Sequence, residues 1–306
     1  MGTGGVGGYF GGRLAQHGEE VSFIARGAHL RAIQENGLIV RSRGGDFRIY
    51  PARATEDPAE IGPSDIVMFN VKMWDTEAAG RAVQPLIGQN TAVISFQNGV
   101  EAEEILANIL GREHVMGGAA YIFSSIAEPG VIAHTSPTAR LLFGELNGEA
   151  TPRAEAFRAA AWAAGIDASL SSSITKDLWS KFVFICALSG MCAVSRSPVG
   201  RVLGSPATRE LFVDAMREVA SVGAARGVAL DPDIVERQLA GAGSLPADEK
   251  PSMLYDLEHG HRLEVTWLNG TVARLGAELG VSTPINRFIT AVLGLHAGSP
   301  DSPAPG

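Results

Sequence analysis

The sequence predicts an α/β protein in two parts. An N-terminal Rossmann-like dinucleotide-binding domain, its first strand cut short, is followed by an all-helical C-terminal domain. Three observations carry this. Gly2, Gly4 and Gly7 form a G-x-G-x-x-G pattern at the head of a helix-like stretch. Strand-like and helix-like patterns then alternate through the first half. Past Ser171-Ser172-Ser173 mainly helical periodicity remains. The expected bounds are 1–171 for the nucleotide domain and 172–297 for the helical domain. A Pro/Ser/Gly-rich tail, 298–306, is expected to be disordered.

The glycines each have mechanical work in such a loop. One makes the tight strand-to-helix turn, one lets backbone amides approach a pyrophosphate, and one lets the helix pack on the sheet. The helix N-terminus then offers N–H groups and a partial positive charge to phosphates. Gly5 and Val6 lie within the same loop, and Gly5 and Gly8 add backbone freedom. Tyr9 to His17 reads as a helix ended by Gly18, and Val21 to Ala25 as a buried strand. Only Met1 precedes the glycines, where the central strand of a doubly wound sheet should run. Met1 is therefore read as the last part of that strand, and the native N-terminus as lying upstream.

Ile66 to Lys72 is a continuous apolar strand, as expected when both faces are buried. A helix follows from about Asp75 to Leu86, then a buried strand from Thr91 to Phe96 ending in Gln97-Asn98-Gly99. Val100 to Leu110 is helical. Three strand-like pieces follow, Val115 to Ser124, Gly130 to Thr135 and Arg140 to Gly144, with turn signals at Glu128-Pro129-Gly130 and Asn147-Gly148. A helix from Pro152 ends at Gly165. The helical half is read as Thr175 to Val194, Thr208 to Arg226, a helix opened by Asp231-Pro232, Leu263 to Leu279, and Asn286 to Leu295. The cleft between two such domains is the default site.

Bulk properties narrow the function. The 306 residues carry a net charge of −8, which argues against nucleic acid or an anionic membrane as partner. Cys186 and Cys192 lie in an apolar run without metal-ligand spacing, so they read as buried thiols of a cytoplasmic protein, and no metal site is expected. No signal-peptide pattern is visible at Met1. The longest apolar run, Phe182 to Val194, is short for a bilayer span and reads as a buried helix. Lysine is rare: Lys72, Lys176, Lys181 and Lys250 are all there are. A lysine at a strand end or beside an apolar helix is thus worth more attention than usual.

Many NAD-binding folds place an acid about 20 residues after the glycines, to bond the ribose 2′-hydroxyl. Here that position reads Ala25-Arg26-Gly27, with no acid. Arg26 can pair with a 2′-phosphate instead, which favours NADP(H). An exposed arginine following a strand is the plainer reading.

Lys72 and Asn98 stand at two strand ends that should face one crevice. Each has an ordinary alternative, a solvated lysine and an Asn-Gly turn. Together with the helical half they make a set. Leu178-Trp179-Ser180-Lys181-Phe182, Pro251-Ser252-Met253-Leu254-Tyr255-Asp256, Leu263 to Gly270, and Thr283-Pro284-Ile285-Asn286 resemble the ketopantoate reductase family. So does the run Phe23 to Leu30. The resemblance spans Gly2 to about Leu295, with the motifs in order.

The resemblance implies NADPH-dependent reduction of a 2-oxo acid, in the type case ketopantoate to pantoate on the way to pantothenate. It puts the catalytic lysine on Lys181, its acidic partner on Glu264, and a carboxylate-contacting serine on Ser252. Lys72 and Asn98 match the strand-end lysine and asparagine, for cofactor and for nicotinamide or substrate. Homodimers are common in the family. The residue chemistry agrees. Hydride arriving at a ketone leaves charge on oxygen, which the Lys181 ammonium can stabilise and protonate. Glu264 can keep that ammonium charged.

The match departs at two substrate-facing positions. One and two turns after Lys181 the type enzymes carry asparagines, and this chain has Ile185 and Ser189. Isoleucine cannot bond a substrate hydroxyl, so a more apolar 2-oxo acid is a serious alternative to ketopantoate. A non-catalytic NADP-sensing protein is a third reading, opposed by the presence of both Lys181 and Glu264. An inactive truncated product is a fourth, resting on the short first strand alone.

Overall fold

The computed structural model describes residues 1–298, and residues 299–306 of the expected tail lie outside the described residues. The chain divides into two compact units, Met1–Gln97 with Glu101–Ile174, and Asn98–Val100 with Thr175 onward.

The first unit opens with helix α1, Gly5–His17. It begins four residues before the expected Tyr9, because close packing overrides glycine's low helix propensity. A Cβ at Gly5 would stand 2.3 Å from the Ser124 carbonyl oxygen, and one at Gly8 would stand 2.7 Å from Ile132. Strand β1 (Ser22–Ile24) follows, then helix α2 (Gly27–Asn36) and strands β2 (Leu38–Ser42), β3 (Phe47–Ile49) and β4 (Arg53–Thr55). The rest of the unit is β5 (Ile66–Phe69), α3 (Thr76–Ala82), β6 (Ala92–Ser95), α4 (Ala102–Leu110), β7 (Val115–Tyr121), β8 (Ser124–Glu128), β9 (Val131–His134), β10 (Arg140–Glu145), α5 (Pro152–Ala163) and β11 (Asp167–Leu170).

These strands form three ladders. The largest runs β11-β10-β7-β6-β5, a second runs β3-β2-β9-β8, and β1 pairs with β4. The pairs β5–β6, β6–β7 and β1–β4 are parallel. Met1 to Thr3 joins two of these ladders. The Met1 carbonyl accepts from the Asn70 N–H at 2.9 Å, while the Gly2 and Thr3 N–H groups both reach the Ile24 carbonyl. The largest sheet is covered on both faces, which is why its strands read as unbroken apolar runs. Ile94 and Met116 pack with Phe10, Phe143 and Phe157, and Val93 and Val115 pack with Phe69 and Leu106.

Several boundaries differ from expectation. The stretch Asp75 to Leu86 is not one helix. It is a 3-10 turn over Met73–Asp75, then α3, then a second 3-10 turn over Gln84–Leu86. Pro85 lacks the N–H that an α-helix would need there. The stretch Val115 to Ser124 divides between β7 and β8, which belong to different sheets.

The second unit holds α6 (Ile174–Ser195), α7 (Val199–Gly204), α8 (Pro206–Ala225), α9 (Ile234–Gly243), α10 (Ser252–Glu258), α11 (Asn269–Leu279) and α12 (Pro284–Gly294). Asp231-Pro232 does not cap α9, which starts at Ile234. The Asp231 carboxylate is committed to Lys176 and Arg237 instead. The expected helix from Leu263 is a 3-10 turn over Glu264–Thr266 followed by α11. Phe182, Val183 and Cys186 of α6 meet Phe212 and Val219 of α8, Leu254 of α10, Val272 of α11 and Ile289 of α12 in one core. By length and composition α6 could cross a membrane, but 72% of its most apolar window is buried within the protein, as in a core helix.

A buried polar network locks these helices together. The Glu218 carboxylate on α8 accepts from the Ile285 and Asn286 N–H groups at 2.8 and 2.9 Å, and from Asn286 Nδ2 at 2.7 Å. Asn269 Nδ2 donates to Asn286 Oδ1 and to the Cys186 carbonyl. The motifs around Asn269 and Asn286 therefore hold α11 and α12 in place.

Candidate active site

Helix α6 places Lys181, Ile185 and Ser189 four residues apart, so they lie along one stripe of its surface. Lys181 is 8% exposed, a burial lysine almost never accepts without a partner. Its Nζ donates to Asn98 Oδ1 at 2.9 Å. Asn98 reaches this position because Gly99 adopts φ +132°, a conformation that side-chain-bearing residues rarely take. Asn98–Val100 accordingly packs with the helical unit rather than with the strand it follows.

Glu264 begins the 3-10 turn before α11 and is also 8% exposed. Two opposite charges are thus buried in one helical unit. Ser189 is buried and Ile185 half-buried. Ser252 is the first residue of α10 and is exposed.

The glycine loop lies in the first unit. Gly2 has φ +87°, and a Cβ there would stand 2.9 Å from the Asn70 carbonyl carbon. A Cβ at Gly7 would stand 2.3 Å from the Gly2 carbonyl oxygen, so Gly7 closes the turn. Gly4 differs, since a Cβ there meets nothing within 4 Å. The protein leaves space beside Gly4 at the N-cap of α1, and the first turn, which includes Val6, carries no capping side chain and no acid. Uncapped N–H groups at a helix start suit an anion. Two buried polar atoms on the residues packed against this loop, Asn70 Oδ1 and Ser124 Oγ, have no hydrogen-bond partner. An open cradle and orphaned polar atoms fit a dinucleotide.

Arg26 stands at the N-cap of α2, just after β1, with its side chain 73% exposed. It donates from Nη2 to Asp75 Oδ2 at 2.7 Å. Lys72 follows β5 and caps the 3-10 turn over Met73–Asp75, its Nζ 5.7 Å from the centre of the Trp74 ring.

Three residues beside these positions carry no assignment from the sequence. The His29 Nδ1 accepts from the Gly130 N–H at 3.0 Å, which leaves Nε2 to donate to the Thr3 carbonyl at 2.8 Å. His29 therefore grips the glycine loop as a neutral ring. Burial pushes its pKa below the usual 6.5, against the opposing pull of the Thr3 carbonyl. Gln97 Nε2 donates to the Val71 carbonyl and to Thr76 Oγ1, fixing the end of β5. Asp75 is the third. Their only sequence signal is a polar residue beside a glycine turn or strand end, too common to single them out.

Two family models match most of the chain. Residues 1–148 match the ketopantoate reductase PanE/ApbA model, and residues 173–297 match the model of its C-terminal part. An uncharacterized oxidoreductase, YkpB, of Bacillus subtilis is 32% identical over 97% of both chains. A 2-dehydropantoate 2-reductase of Mesorhizobium japonicum is 31% identical over 96% of this chain and 95% of its own. The crystal structure of 2-dehydropantoate 2-reductase from Geobacter metallireducens superposes with a TM-score of 0.90 at 31% identity, covering 96% of this chain and 98% of that one. A structure of D-mandelate dehydrogenase with NADH and anilino(oxo)acetate shares the fold, with a TM-score of 0.88 at 23% identity over 97% of this chain and 96% of that one.

Proposed function

The chain belongs to the ketopantoate reductase family, and from that premise we propose that it reduces a 2-oxo acid with NADPH, ketopantoate to pantoate being the favoured reaction. The observation that carries the reading is the buried Lys181 ammonium held on Asn98 at 2.9 Å. A buried cation fixed in direction is what a developing alkoxide needs.

When bound, the dinucleotide supplies the hydride. Gly2, Gly4, Gly5, Val6 and Gly7 would hold its pyrophosphate, Arg26 its 2′-phosphate, and Lys72 a further part of the nucleotide. The Lys181 ammonium stabilises charge on the substrate oxygen and then gives it a proton. Asn98 aims that ammonium, and Glu264 favours its charged form. Ser252 bonds the substrate carboxylate. The buried thiols Cys186 and Cys192 agree with a cytoplasmic setting, where they stay reduced.

A second reading keeps the chemistry and changes the substrate. Ile185, on the same stripe as Lys181, offers no hydrogen bond to the hydroxyl that ketopantoate carries. That supports a more apolar 2-oxo acid. The deciding experiment follows loss of dihydronicotinamide absorbance with ketopantoate beside a panel of branched and aromatic 2-oxo acids. Preference for ketopantoate supports the first reading, and preference for apolar acids the second. Tight dinucleotide binding without turnover on any of them would sink both and favour a sensor.

A further inference from the structure

The sequence lacks an acid at Ala25-Arg26-Gly27, but the fold brings one there from 49 residues further along the chain. Asp75 Oδ2 lies 2.7 Å from Arg26 Nη2. Two features mark this pairing as built. Asp75 stands at the N-cap of α3, where aspartate commonly accepts from its own helix, yet it makes no such bond. It is also the more enclosed partner, at 29% exposure against 73% for Arg26, so the acid is held by the fold and the arginine reaches to it.

We propose that Asp75 is a cofactor-discriminating residue: its carboxylate accepts from a ribose 2′-hydroxyl and opposes a 2′-phosphate, so the site takes NADH alongside NADPH. This rests on the dinucleotide reading given above. A hydroxyl group can donate to a carboxylate, whereas a guanidinium has no acceptor to offer that proton. A phosphate seated on Arg26 would bring its negative charge close to Asp75, and like charges at that range repel. Arg26 keeps donors to spare, since Asp75 engages it through a single nitrogen. The pair therefore serves either nucleotide, Arg26 for the phosphate and Asp75 for the hydroxyl. It gives up the strong NADP preference that a lone arginine would confer.

The test is equilibrium binding, read from the fluorescence of the dihydronicotinamide ring with no substrate present. NADPH and NADH are each titrated into the full chain, Asp75→Asn and Arg26→Ala. The wild type should bind both nucleotides within about tenfold of each other. Asp75→Asn should tighten NADPH and weaken NADH, each by about three- to fivefold, the scale of one partly exposed charge contact. Arg26→Ala should weaken NADPH while leaving NADH within about twofold. An unchanged NADPH/NADH ratio in Asp75→Asn, or equal loss of both nucleotides, overturns the inference and leaves dinucleotide binding standing. Failure of the wild type to bind either nucleotide overturns the underlying reading and the inference with it.

Discussion

Lys181 and Asn98 are 83 residues apart in sequence and joined by one hydrogen bond of 2.9 Å, from the ammonium to the amide oxygen. An amide oxygen takes one N–H of the ammonium without taking its charge. The bond gives the ammonium a fixed direction.

Removing the ammonium should therefore stop chemistry and spare the nucleotide. Lys181→Ala is expected to lower turnover by about 10²- to 10⁴-fold, the range for loss of a positioned proton donor. NADPH affinity should stay within about twofold of wild type, since the role proposed for Lys181 is toward the substrate oxygen and not toward the nucleotide. Single-turnover absorbance measures the first quantity and fluorescence titration the second. Equal loss of both would make Lys181 a nucleotide-binding or structural residue.

Ile185 sets a separate expectation, about substrate. One helical turn beyond Lys181, it is half-buried and apolar. Ile185→Asn should raise kcat/KM for ketopantoate relative to an apolar 2-oxo acid by about tenfold or more, because a pocket that can bond a substrate hydroxyl discriminates strongly for it. An unchanged ratio would show that the stripe on α6 does not meet that part of the substrate.

The same stripe shows what the sequence could and could not reveal. Lys181 stood out because lysine is rare and because it adjoins a recognisable Trp179-Ser180-Lys181 run. The strands β5 and β6 were legible because two-sided burial makes them uniformly apolar. Strands β2, β3, β4 and β11 were not legible, since three to five residues of mixed polarity carry no period to count. The Asn269 and Asn286 motifs were visible as a resemblance, but their partner, Glu218, lies on another helix that no local pattern connects to them. The Arg26–Asp75 and His29–Thr3 contacts were hidden for the same reason.

His29 makes nucleotide binding and stability depend on pH in a stated direction. Its Nδ1 accepts from Gly130 and its Nε2 bonds Thr3, so a second ring proton would face a donor. Burial holds its native pKa below the unfolded 6.5. As pH falls through 6.5 the unfolded chain takes up a proton that the folded chain refuses, so stability drops until the native pKa is passed. His29→Gln can keep one donor and one acceptor without titrating. It should flatten the fall in NADPH affinity below about pH 6.5, whereas His29→Ala should weaken affinity at every pH. Identical pH profiles for wild type and His29→Gln would remove His29 from the explanation.

Gly4 and Gly5 are adjacent and should fail in opposite ways. A Cβ at Gly5 would stand 2.3 Å from the Ser124 carbonyl oxygen, a backbone atom that cannot swing aside. Gly5→Ala should therefore destabilise the fold by about 1–3 kcal/mol, as other overpacked sites do, and lower Tm accordingly. A Cβ at Gly4 meets no protein atom within 4 Å, and the residue has φ −84°, which alanine adopts freely. Gly4→Ala should melt within about 1 kcal/mol of wild type, the usual scale of an N-cap change. It should nonetheless weaken NADPH by tenfold or more, because the methyl group would occupy the space where backbone amides meet the pyrophosphate. Thermal melts and nucleotide titrations of the two variants separate these effects. A Gly4→Ala protein that binds NADPH like wild type would show that the open space beside Gly4 is not the pyrophosphate seat.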